Sequence, residues 1–298
     1  MIFLKLALCA SASLREKIVV SFFCITVSAF AHAQKPIVFV SIPPQLWLTK
    51  QIAGDAVDIQ TLLPAGANPH TFEPTAKQIK KLAEASLALT IGLEFERSLV
   101  GRAQKLNFKL VAAPVDAGIE KLGAHAHHTH APGGGCACCG TGGDPHIWLS
   151  PRRYAAMASN TTAALAQLLP KDTQTFEARR DAVMSEIRKI DAEIQRALEH
   201  AAVKTCVVYH PSWTYFAADY GFTLLTIEQD GKTPSAKHLA TVIAKAKAEN
   251  AKVVISEPQY NQRPAQTVAK QIGARVELLN SLQEDWPALL REASSVLK

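Results

Sequence analysis

DTQTFEARRDAVMSEIRKIDAEIQRALEH, residues 172–200, decides the fold. Phe176, Val183, Ile187, Ile190, Ile194 and Leu198 recur at spacings of three, four and seven. They therefore make one apolar stripe on a helix whose other faces carry charge. At about 1.5 Å per residue such a helix spans about 40 Å, too long to be a simple crossover. A second helix leads into it. Ser150-Pro151 has the form of an N-cap followed by proline at the first helical position, and the helix runs to about Leu169.

On either side of this helical pair the pattern changes to short β-branched runs alternating with amphipathic segments. Upstream, IVFVSI (37–42), VDIQTLL (57–63), SLALTIG (86–92) and FKLVAAP (108–114) read as buried strands. Downstream, TCVVYH (205–210), FTLLTIE (222–228), KVVISEP (252–258) and RVELLN (275–280) repeat the pattern. Strand–helix alternation implies parallel sheets covered by helices. The expected class is α/β, with two parallel-sheet (βα)4-type lobes joined by a long rigid linking helix. The expected boundaries are 34–145 for the N-terminal lobe, including a His/Cys-rich loop at 123–143. Linking helices then fill 146–203, with the strut at about 172–200, and the C-terminal lobe fills 204–298.

Residues 1–33 are set apart. Arg15, Glu16 and Lys17 precede a short apolar run, Ile18 to Phe30, which ends in Ala31-His32-Ala33. That is the pattern of a secretory signal peptide, and the run is short of the roughly 20 apolar residues a membrane span needs. An exported, periplasmic product is expected. About 265 residues remain (298 less 33), enough for one large domain or two ordinary ones. The formal charge of +6 is spread without a basic block, so nucleic acid is not an expected partner. Of six cysteines, Cys136, Cys138 and Cys139 crowd into a glycine-rich stretch and Cys206 sits in an apolar strand, which makes no disulfide framework.

The chemistry falls on histidine. His200 ends the strut and His238 lies on an expected surface helix, and both read as solvated side chains. His70 (NPHTFEP), His146 (DPHIWLSP) and His210 (YHPSW) each adjoin a proline that restricts the backbone. His70 and His210 follow strands of different lobes, where ligands of wound sheets bind, and His146 lies at the junction. Three imidazoles converging between the lobes would suit Zn²⁺. Three separately satisfied histidines would fit the same pattern, and spacing alone leaves both open.

NPHTFEP, DPHIWLSP and YHPSWTYFAADYG, in this order, with ISEPQY and RVELLN after them, resemble the metal-binding solute-binding proteins of ABC importers. The resemblance covers nearly all of residues 36–298 and is closest to the periplasmic zinc-uptake branch. It implies two α/β lobes joined by a rigid helix, a metal ion held between them, and delivery of that ion to a membrane permease. Zn²⁺ would be the transported ligand, the protein a monomer and not an enzyme, with no small-molecule substrate besides the metal. Position by position, it implies His70, His146 and His210 as the metal ligands. Manganese-binding relatives often have a carboxylate where this chain has His210, and commonly an aspartate late in the second lobe. That aspartate has no clear match in LLNSLQEDW: Asn280 stands near it, and Asp285 is a candidate. Pro69 replaces the glutamate that some zinc-binding relatives carry, so the fourth position falls to water. Glu73, Glu228 and Glu257 lie near cleft-side strand ends and are candidates to orient the ligand imidazoles. Glu73 could instead cap the helix near Thr75. Trp148 and Trp213 are close enough to ligands to shield the metal.

Two other functions stand beside this one. A manganese- or iron-binding member of the same family would need harder, oxygen-rich donors than three imidazoles. A zinc hydrolase would need a general base, and the chain has neither H-E-x-x-H nor paired carboxylates beside these histidines. His125, His127, His128, His130, Cys136, Cys138 and Cys139 form an insertion before the DPHIWLSP motif. Many zinc-uptake relatives carry a histidine-rich insertion there, which implies accessory capture of metal.

Overall fold

The computed structural model describes residues 35–123, 143–229 and 232–298. The expected signal peptide at 1–33 and the loop residues His125, His127, His128, His130, Cys136, Cys138 and Cys139 lie outside the described residues.

Among the described residues eight strands form two four-stranded sheets in which every pairing is parallel. The first sheet contains β1 (Ile37–Val40), β2 (Asp58–Thr61), β3 (Leu87–Thr90) and β4 (Val111–Pro114), in the order β2-β1-β3-β4. The second contains β5 (Thr205–Val208), β6 (Thr223–Thr226), β7 (Val253–Ser256) and β8 (Arg275–Leu278), in the order β6-β5-β7-β8. Each sheet grows in both directions from its first strand, so each has a topological switch point beside that strand. All eight expected strands are present, and this is the α/β class read from the sequence. Burial differs from expectation at β2, β4 and β8: as sheet edges they have one flank uncovered, and Val111 and Leu278 are more than half exposed.

The helices are α1 (Pro43–Ala53), α2 (Ala76–Ala83), α3 (Glu94–Leu106), α4 (Pro151–Leu168), α5 (Thr173–Leu198), α6 (Thr214–Tyr220), α7 (Ala236–Ala248), α8 (Arg263–Ile272) and α9 (Trp286–Leu297). Helix α4 starts as its sequence dictates: Ser150 Oγ accepts from Arg153 N, and Pro151 opens the first turn. Helix α5 is the strut, 26 residues and roughly 39 Å long. Its buried residues are Phe176, Val183, Ile187, Ile190, Ile194 and Leu198, the whole apolar stripe. That stripe lies against α4, α1 of the first lobe and α9 of the second.

One apolar core therefore runs from the first sheet through the linking helices into the second lobe. Its centre is aromatic. Tyr154 of α4 stacks on Trp286 of α9 with ring centroids 4.1 Å apart and planes 9° apart, and Trp47 of α1 packs on both. Three hydrogen bonds fix the group. Tyr154 Oη donates to the Pro44 carbonyl at 2.6 Å, Trp286 Nε1 to Trp148 O at 2.7 Å, and Trp148 Nε1 to Ser281 O at 2.8 Å. Swinging the lobes apart would shear stacked rings and strand buried polar groups, which is why a long helix here acts as a strut. A second, smaller core fills the space under α7 and α8.

Because that core is shared, Trp286→Ala should cost about 3–5 kcal/mol of stability, as for a fully buried aromatic side chain. In urea titrations followed by far-UV circular dichroism, unfolding should stay a single transition at lower denaturant. Two separated transitions, with the first lobe unshifted, would show that the lobes do not share one core.

Candidate metal centre

Each of the three histidines is delivered by a different kind of backbone. His210 leaves the second sheet at its carboxyl edge. Tyr209 N still donates to Ile255 O at 2.8 Å, and the chain then turns through Pro211–Trp213 into α6. His146 ends an extended segment and opens the single 3-10 turn Ile147–Leu149 that leads to α4. His70 stands on the loop after β2, where its own N–H donates to Asn68 Oδ1 at 2.9 Å. His146 and His210 are buried and His70 is partly exposed.

The three rings meet. The Nε2 atoms of His70 and His210 are 3.1 Å apart, and those of His210 and His146 are 3.4 Å apart. Among the described residues this is the one cluster of three or more His, Cys, Asp or Glu side chains able to hold a metal, with donor atoms within 4.8 Å of one another. Zn–N bonds of about 2.0–2.1 Å at a tetrahedral angle place nitrogens about 3.3 Å apart. The observed separations bracket that value.

Carboxylates behind the rings fix their orientation. His146 Nδ1 is 2.7 Å from Asp144 Oδ1, and His210 Nδ1 is 2.7 Å from Glu228 Oε1. An ionised carboxylate can only accept, so each Nδ1 carries the proton and each Nε2 turns its lone pair inward. Two buried lone pairs facing each other repel unless a cation lies between them. Burial, with the charge of His146, holds His210 well below the ordinary imidazole range. Burial and both neighbouring imidazoles push His70 down to about 2. At His146 burial also pulls downward, but the Asp144 charge and hydrogen bond outweigh it and the result is a rise.

Of the expected orienting residues, only Glu228 touches a ligand imidazole. Glu257 is buried just behind the cluster, but its carboxylate accepts from the hydroxyls of Ser212 and Ser281 and from Gln259 Nε2. Burial raises its pKa and those hydrogen bonds resist the rise. Its reach is taken up by closing the β5–β7 switch point, not by a histidine. Gln45 and Glu96 fill the corresponding crevice of the first lobe. Gln45 bridges Ser41 and Ile42 to Leu89 O, and Glu96 accepts the N–H groups of Ile91, Gly92 and Leu93. With both crevices plugged by their own side chains, the space left for a ligand lies between the lobes.

Glu73 is exposed and belongs neither to the cluster nor to a cap, because Thr75 caps α2 with Gln78. Asp285 is exposed and caps α9, its Oδ1 accepting from Ala288 N, so it is turned from the metal position. Asn280 turns its oxygen onto Leu282 N. Among the described residues no carboxylate joins the three imidazoles as a fourth ligand. His200 is exposed as expected. His238 is half-buried, its Nε2 3.1 Å from Thr226 O, because the start of α7 packs over the end of β6. Trp148 lies 5.2 Å from the His146 ring, whereas Trp213 packs edge-on against Phe216. Sequence reasoning passed over Asp144, two residues before His146 inside the quoted motif, and Tyr260, whose ring stacks on His210 at 5.3 Å.

Comparison with known proteins gives a consistent pattern. The family model described as zinc-uptake complex component A, periplasmic, matches residues 38–298. The zinc-binding protein AdcA of Streptococcus pyogenes serotype M3 is 28% identical over 256 residues, covering 80% of this chain and 49% of AdcA. The chain thus spans about half the length of that curated relative. A crystal structure of ZnuA superposes with a TM-score of 0.80 at 32% identity, covering 88% of this chain and 97% of that one. A ZnuA deletion mutant with zinc bound gives 0.78 at 33% identity, with 88% and 96% covered.

The Glu228 contact generates a test. Glu228→Gln keeps the volume but removes the charge that fixes the His210 tautomer, and the zinc dissociation constant should rise about 10–100-fold. Competition against a chromophoric chelator measures it, with one metal still bound per chain. An unchanged constant would mean that the carboxylate does not orient the ligand.

Proposed function

The chain belongs to the family of periplasmic zinc-uptake components, and we propose that it captures Zn²⁺ between its lobes and delivers it to the membrane permease of an ABC importer. The observation that carries this is the convergence of three Nε2 lone pairs at 3.1 and 3.4 Å, two of them aimed by carboxylates. His70, His146 and His210 are the ligands, and water completes the tetrahedron. Three neutral imidazoles make a borderline-soft donor set, which suits zinc and gives little to manganese, an ion that prefers oxygen. Copper and nickel accept such nitrogen donors too, so selection against them would rest on geometry and supply.

Export is part of the same reading. The 1–33 segment has the pattern of a cleaved signal, which would put the binding protein outside the cytoplasmic membrane, where it would meet its permease. The carrier reading is supported by the carboxylates behind the cluster, those of Asp144, Glu228 and Glu257, which are engaged by histidine, serine or amide groups. The loop residues His125, His127, His128, His130, Cys136, Cys138 and Cys139 supply soft donors that would hold further zinc more weakly and feed the cleft.

Equilibrium titration of the mature protein should give one tight zinc site, lost in His210→Ala, with Mn²⁺ displaced by equimolar Zn²⁺. Preference for Mn²⁺ at equal free concentration would overturn the zinc assignment. A deletion strain should grow poorly in zinc-depleted medium and recover when zinc alone is added. Recovery with manganese or iron alone would point to a different cargo.

A further inference from the structure

The His/Cys-rich insertion is bounded in the described residues by Gly123 and by Gly143, three residues before His146. What lies at that base is well defined. Asp144 N donates to Leu122 O at 2.8 Å, which closes the two ends onto each other. The Tyr215 hydroxyl sits between them, accepting from Leu122 N at 3.0 Å and donating to Asp144 O at 2.6 Å. Gly143 has φ +81°, and a Cβ there would lie 3.1 Å from Leu122 O and 3.0 Å from Lys121 Cβ, so only glycine fits this close approach. Arg153 holds the incoming segment: its Nε donates to Glu120 O at 3.3 Å, and its guanidinium lies 4.5 Å from the centre of the Tyr215 ring.

Asp144 is thereby pinned at both of its backbone groups, N–H by Leu122 and C=O by Tyr215. Only its carboxylate remains, and Oδ1 accepts from both the N–H and the Nδ1 of His146, at 2.9 and 2.7 Å. Tyr215 itself is fully buried on α6, five residues beyond His210. One hydroxyl thus joins the backbone that follows one ligand to the residue that aims another.

We propose that Tyr215 is a positioning residue: through Asp144 it sets the orientation of His146, and it insulates that ligand from the insertion whose two ends it staples. The proposal rests on the zinc-binding reading given above. It has a geometric corollary. Joining Gly123 directly to Gly143 would make Leu122-Gly123-Gly143-Asp144 a four-residue turn whose carbonyl-to-N–H bond already exists, with glycine at both central positions. The insertion is therefore spliced into a turn that can close without it.

The test is a mutant cycle on the full mature chain, read by zinc affinity and by the visible spectrum of the Co²⁺-substituted protein. Tyr215→Phe should raise the zinc dissociation constant about 10–100-fold and alter the Co²⁺ d–d bands, with stoichiometry unchanged at the tight site. In an Asp144→Ala background the same substitution should add less than about two-fold, because the residue acts through Asp144. Removal of 124–142 should leave the wild-type constant within about two-fold. Gly143→Ala, which spoils the same staple while leaving Tyr215 and Asp144 in place, should reproduce the loss if Tyr215→Phe fails to fold. Additive losses in the cycle, or a Tyr215→Phe protein with the wild-type constant and Co²⁺ spectrum, would overturn the proposal while leaving zinc binding intact. A wild-type chain that holds no zinc tightly would instead overturn the functional reading on which it stands.

Discussion

Two carboxylate–imidazole hydrogen bonds, Asp144 to His146 and Glu228 to His210, give the space between the lobes its chemistry. Each commits one ring nitrogen as a donor and so forces the other to present a lone pair. Once two such lone pairs are buried within 3.4 Å, the protein alone cannot satisfy them both. A proton could bridge them, and a metal ion of the right size would do so with a third imidazole besides. Cation binding is therefore written into the hydrogen-bond directions behind the rings, as much as into the rings themselves.

The rest of the structure keeps those directions fixed. The aromatic group of Trp47, Tyr154 and Trp286, seated on the strut, leaves the lobes no soft hinge below the site. Gln45, Glu96 and Glu257 close the sheet-end crevices, so the gap between the lobes is the place where donors converge. Against this rigid frame His70 is the exception. It is the most exposed of the three converging histidines and rides on a loop after an edge strand, held by short-range turn bonds such as Thr71 N to Asn68 O.

Legibility in the sequence followed the range of the interactions. The strut stripe was complete down to each residue, because a helix writes its buried face at fixed intervals of three and four. Eight strands were legible for a similar reason, yet the exposure of Val111 and Leu278 was not, since only the order of strands makes a strand an edge. At the site, the proline-flanked histidines were visible as three candidates. The roles around them were less so. Glu228 and Glu257 look alike as acidic residues at strand ends, but one meets an imidazole and the other two serine hydroxyls. Asp285 looked available and is used as a helix cap.

By itself, then, the sequence determined the class of fold, the strut and the three imidazoles, since periodicity and proline-restricted motifs are local properties carried along the chain. Tertiary structure alone decided that the imidazoles share one point and that, among the described residues, no carboxylate joins them there. It also made Tyr215 a staple between the residues that aim His146 and those that follow His210. Those facts depend on contacts between residues 64 to 140 positions apart, whose directions are set by sheet order and core packing, and no local pattern encodes a direction in space.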